Sequence, residues 1–259
     1  MMMRRSIARL AAVGGVCLLG FAARAEMPAN SAAYIDASVD AVDSMVKVER
    51  GKAGLPRLAD PVDGKVLEDV WNEAAILGKG PYVAADVPAL LNIVQKQTRI
   101  LQAYTLYSPD PGKTPPNTAK NTVEYQDEIT RTRAFLLKTT AASVQAASDF
   151  EARLTKEEKT DSRIQGLRQM RVGLFEIISG VALDLRNPGL REPNQALLAR
   201  ALAENAAGIV AGTAPADRKA LVTALQAAKP VLKPAAEKSV ATFVAAATSA
   251  PCEGLCLLP

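Results

Sequence analysis

The chain has 259 residues; 49% are hydrophobic, 22% charged and only 4% aromatic, with 47 alanines and no histidine. That mixture suits packed helices, because strands favour β-branched and aromatic side chains. The missing histidine excludes Ser-His-Asp and Cys-His nucleophiles, His-ligated metal sites and c-type haem attachment.

Residues 1–25 have the order of a secretory signal peptide. Arg4, Arg5 and Arg9 precede an uncharged apolar run from Leu10 to Phe21, and Ala23-Arg24-Ala25 supplies small residues before Glu26. The run is shorter than the roughly 20 residues that a spanning helix needs. Cys17 does not sit in a lipoprotein box, because Val16 stands where a small residue is expected. Cleavage before Glu26 removes four arginines and leaves 27 basic against 27 acidic side chains. The mature chain is therefore expected in the periplasm or outside the cell, with no net charge to draw it to nucleic acid or anionic lipid.

The first helix is expected over 31–49, with Ile35, Val39, Val42 and Val46 on one face and Gly51 beyond its end. A second carries Val66 to Leu77 and stops at Gly78. Asp86 caps a third, with Pro88 in its first turn and Leu90, Ile93, Val94, Leu101 and Tyr104 as its stripe. Four prolines between Ser108 and Asn117 make the strongest break in the chain. Beyond the break, Tyr125 to Leu154 keeps a helical period, which predicts one helix from Thr118 to Leu154. Thr155-Lys156-Glu157-Glu158 fits a capping box, and a fifth helix follows to Leu185. The last third holds shorter, alanine-rich helices over Leu197–Val210, from Pro215 and from Pro234. The reading is an all-α fold of about eight helices. It is an extended bundle dominated by an antiparallel hairpin over residues 118–186, divided into 26–108, 117–248 and a tail at 249–259.

Cys252 and Cys256 are the cysteines left after cleavage. An even pair at short spacing in an oxidising compartment predicts a disulfide. So small a ring contributes only about 2 kcal/mol by chain entropy, which makes it a local staple.

Few motifs carry chemistry. Gly112-Lys113-Thr114 resembles the end of a phosphate loop, but Tyr107 stands where the first glycine belongs and two prolines follow, so a turn is expected. Ser44 and Lys47 match the Ser-x-x-Lys spacing of penicillin-recognising enzymes without the partner motifs of that class. Gly166 to Met170 resembles the Gly-Leu-Met-Gln box of helical lytic transglycosylases; the Glu-Ser pair that carries their acid is absent. Glu124, Asp127 and Glu128 beside Arg131 and Arg133 read as a solvated face laced with i,i+4 pairs. No metal site and no cofactor is implied.

Arg171 breaks its local pattern, falling among Leu167, Leu174, Phe175 and Ile178 on an apolar stripe. If the hairpin reverses after Leu154, Arg171 lies level with position 144, beside Thr139, Thr140 and Ser143. A guanidinium near three hydroxyls is the candidate anion site, the alternative being an ion pair with a neighbouring helix. The expected function is an exported, non-catalytic interaction module for a protein or envelope partner. A small-molecule binder for an anionic ligand is the alternative, with an enzyme of carboxylate or Ser/Lys chemistry behind it.

Overall fold

Helix α1 (Ser31–Glu49) buries the face that its period predicts: Ile35, Val39 and Val42 are fully inaccessible. The structure, a computed structural model, describes residues 27–49, 54–110 and 112–258; the expected signal peptide and Cys17 lie outside them. Among the described residues all regular structure is helical, with eleven α-helical segments and no strand.

The expected second helix is two pieces, α2 (Pro61–Asp69) and α3 (Glu73–Ile76). Asp60 caps α2 by accepting from the Val62 and Asp63 amides at 2.8 and 3.1 Å. The break after it comes from side chains that compete for the backbone. The Asn72 carboxamide accepts from the Ala75 amide, and buried Gln97 donates to the Val70 carbonyl at 2.6 Å. Helix α4 (Val87–Thr105) supplies that glutamine.

After the proline-rich segment come α5 (Thr118–Glu124) and α6 (Gln126–Glu151), where the sequence predicts one helix. The interruption is Tyr125, drawn out of helical geometry by its partners. Its ring packs on Tyr104 and Tyr107 at centroid separations of 5.5 and 5.8 Å, and its hydroxyl accepts from the Leu55 amide. The capping box at Thr155 and Glu158 forms reciprocally but opens no helix. Helix α7 (Asp161–Leu185) starts later, with Thr160 as its cap. Then follow α8 (Glu192–Glu204), α9 (Ala206–Gly212), α10 (Pro215–Ala228) and α11 (Pro234–Ser249). The single helix expected over Leu197–Val210 bends at Asn205, whose carboxamide donates back to the Ala201 carbonyl.

Helices α6 and α7 are antiparallel: Arg133 pairs with Asp184 at one end, and Lys159 with Glu151 at the turn. Burial pulls the Arg133 guanidinium below the usual arginine value. Helix α6 also packs on α4, α8 and α9, so it runs through the middle of the fold. It feeds two hydrophobic clusters. Ile129 and Phe135 join the N-terminal cluster with α1 and α4; Leu137, Ala141 and Val144 join the C-terminal one with α7 to α11.

The expected acidic face is a correction. Glu128 is 2% exposed and accepts from the Leu58 amide at 2.7 Å, while Asp127 pairs with Arg191. Only Glu124 makes an i,i+4 pair, with Lys120. These acids tie α5 and α6 to distant segments, because α6 is packed on several sides and offers little open face.

A candidate docking groove between α4, α6 and α7

The hydroxyls singled out in the sequence lie in the middle of α6. Thr139 and Ser143 are fully inaccessible and Thr140 nearly so. Each donates to the carbonyl one turn back, Thr139 to Phe135, Thr140 to Leu136 and Ser143 to Thr139, at 2.8–2.9 Å. A hydroxyl buried in a helix is satisfied this way without any partner from outside. Arg171 is half-buried and donates to the carbonyl of Leu258 in the C-terminal tail. No hydrogen bond joins it to Thr139, Thr140 or Ser143. The structure thus sends the guanidinium to the tail and turns Thr140 and Ser143 toward a different feature.

That feature is a groove of about 780 Å³ between the start of α4 and the hairpin α6–α7. Its walls are apolar: Leu91 and Val94 from α4, Val144 and Phe150 from α6, Met170 and Ile177 from α7. Phe150 is 37% exposed, which is unusual for an aromatic ring beside a core. Of the polar wall atoms, the Thr140 and Ser143 hydroxyls are already bonded within α6. Arg163 sits at the hairpin-turn end and donates to the Glu158 carbonyl. No Asp, Glu, Lys or Cys lines the groove, and the Thr140 and Ser143 hydroxyls that do are bonded to carbonyls of their own helix.

The α7 wall is cut low by Gly166 and Gly173. A Cβ added at either would meet nothing within 4 Å, and the same holds at Gly180 one further heptad along. Glycine inside a helix is less stable than alanine by about 0.5–1 kcal/mol. No contact among the described residues requires it at these three positions.

The tail is a second assembly of polar groups, and sequence reading missed its centre. Cys252 and Cys256 are joined, with Cα atoms 5.3 Å apart, and Gly254 between them adopts a positive φ of 57°. The ring does not hang free. Leu255 and Cys256 are buried, and the Leu255 amide donates to Ser148 Oγ on α6. Arg218 on α10 lies beneath, 7% exposed. It donates to the carbonyls of Val210, Thr213, Ala250 and Pro251 at 2.7–3.1 Å, and its Nη2 lies 3.0 Å from Cys256 Sγ. Burial lowers the affinity of this guanidinium for its proton. Among the described residues it pairs with no carboxylate; it satisfies the helix-end carbonyls of α9 and α11 and bolts the tail across them.

Gly112-Lys113-Thr114 is a turn, as expected: Gly112 has φ 92°, and the Lys113 and Thr114 amides both donate to the Asp110 carbonyl. Ser44 Oγ donates to the Asp40 carbonyl on its own helix. Among the described residues no three His, Cys, Asp or Glu side chains are grouped to hold a metal ion. No described helix is long and apolar enough to cross a membrane. Comparison with protein-family models, with curated proteins and with solved structures finds no match.

Proposed function

We propose that the protein is an exported, non-catalytic docking module, and that its α4–α6–α7 groove receives one apolar helix of a partner protein. The observation that carries this reading is the pair Gly166 and Gly173, seven residues apart on the groove wall with open space above them. Seven residues is two helical turns, so the bare backbone recurs along a single line of α7. Such a line lets a second helix approach backbone to backbone. A small organic ligand is less well served, since it needs convergent polar groups to fix its orientation and here the hydroxyls are already engaged. Arg163 at one end favours a partner helix that brings an acidic residue, or its C-terminal carbonyls, to the hairpin turn.

Export rests on the n-region, apolar run and Ala-x-Ala order of residues 1–25, and the disulfide at Cys252–Cys256 supports an oxidising compartment. N-terminal sequencing of protein from its native host should begin at or near Glu26. Docking is tested by placing a photo-activated cross-linker at Gly173 of the full chain in that host. The expected adduct is a protein whose cross-linked peptide is an apolar helical segment, and Gly166→Trp should abolish it while the fold is retained by circular dichroism. A lipid adduct, or none, overturns the docking reading.

A further inference from the structure

A second pocket lies on the other side of α6, and its chemistry differs from that of the groove. It has a volume of about 410 Å³ and is framed by the α2–α3 junction, α6 and α8. Trp71 and Phe135 form its apolar side and are 6% and 4% exposed. Three cations line it: Arg131 and Lys138 from α6 and Arg200 from α8. Lys138 is neutralised by Glu73. Arg131 has no carboxylate within ion-pair distance among the described residues; its guanidinium carbon sits 6.0 Å from the centre of the Trp71 ring. Arg200 pairs with no described carboxylate either. Glu204 lies one turn along α8 on the same wall but does not bond to it. The Trp71 Nε1–H is buried and donates to no group among the described residues.

From this arrangement we infer a binding site for an organic monocarboxylate with a ring-sized apolar body. Two guanidinia on facing helices present forked N–H donors that match a planar carboxylate in a way an ammonium does not. The apolar side made by Trp71 and Phe135 gives a ring something to stack on beneath that head group. The wall charges also fit: three cations against Glu73 and Glu204 leave a surplus of one, the complement of a single negative charge. The site is independent of the docking groove, with which it shares no lining residue.

Trp71 is the sole tryptophan of the chain, so emission excited at the red edge, where tyrosine does not absorb, comes from this one wall residue. The full chain would be titrated with cyclohexanecarboxylate, which does not absorb at the excitation wavelength, and in parallel with acetate and with inorganic phosphate. A saturable change in Trp71 emission is expected for cyclohexanecarboxylate at concentrations where acetate and phosphate give none. Arg200→Gln alters an exposed side chain and should weaken binding by about ten-fold or more. Arg186→Gln, outside the pocket, should leave it unchanged. Absence of saturation overturns the site. An equal response to phosphate overturns the role of the apolar body, and indifference to Arg200→Gln overturns the role of the arginine pair.

Discussion

In α9, Gly208 and Gly212 lie against α6 so closely that a Cβ at 208 would strike the Ala141 carbonyl oxygen. One at 212 would overlap the Val144 side chain and come within 2.8 Å of Leu174 Cδ2. In α7, Gly166, Gly173 and Gly180 face nothing within 4 Å. Both helices carry the same conformational penalty for glycine, but only in α9 does a close interhelical contact offset it. The α9 end of the molecule is closed by its own chain: α6 below, Arg218 across the helix ends, and the disulfide tail above. The α7 wall has no such closure, and its glycines are what the proposed partner helix would use. Packing among the described residues accounts for the first set and gives no cause for the second.

The strongest way to break this comparison is to add bulk where the contact exists. Gly208→Val is expected to lower stability by about 3 kcal/mol, because the obstacle is a backbone carbonyl that cannot rotate away. Chemical denaturation would read it as a lower midpoint. An unchanged midpoint would mean that α9 slides freely on α6 and that its glycines are as idle as those of α7. Arg218→Met comes next, at about 2–3 kcal/mol, since it removes the guanidinium donors of four carbonyls, two of them on the buried residues Val210 and Thr213. Hydrogen exchange should then rise at the amides of Leu255 and Cys256; if it does not, the tail is held by Leu255 alone.

Much of the helical layout was legible in the sequence because its signals are local. The start of α1, Pro88 in the first turn of α4, the proline break at 108–117 and the end of α7 all follow from prolines and period, whereas Asp86 turns its carboxylate back to the Val83 amide and does not cap α4. The breaks at Tyr125 and Asn205, and the one between Asp69 and Glu73, were not legible. Tyr125 and the Val70 carbonyl are held by distant partners, the tyrosine cluster and Gln97, while Asn72 and Asn205 act through local carboxamide bonds, a signal too weak in a single asparagine to mark a break. The Arg171 reading shows the same limit. Angular arithmetic places it on the buried side of α7, but it cannot say that residue 258 would return to meet it. Arg218 left no signal, since its partners are main-chain carbonyls up to 33 residues away, which every sequence has. The glycine heptad on α7 went unread, because its seven-residue spacing has no meaning until the empty space above it is seen.

Removing the disulfide sharpens the comparison from the closed side. Cys252→Ala with Cys256→Ala is expected to cost about 2 kcal/mol or less, because the ring is short and Leu255 and Arg218 still hold the segment. In an Arg218→Met background the same double change should cost less than it does alone, since both features restrain one stretch of chain. Strictly additive losses would separate the disulfide from the arginine and remove the shared clasp from the account of why this end is closed.

The smallest effect has the opposite sign. Gly166→Ala and Gly173→Ala should each raise stability by about 0.5–1 kcal/mol, from the better helix propensity of alanine and the reduced freedom of the unfolded chain. The space for a methyl group exists at both positions, and both lie well inside α7, where terminal fraying does not dilute the gain. The paired measurement is the cross-linking yield with the helical partner. If the glycines serve close approach, two methyl groups lift the incoming backbone and the yield falls while the melting temperature rises. A rise in stability with undiminished cross-linking would show that the glycines are not needed for docking. A fall in stability would place a neighbour over α7 within this chain and end the contrast with α9.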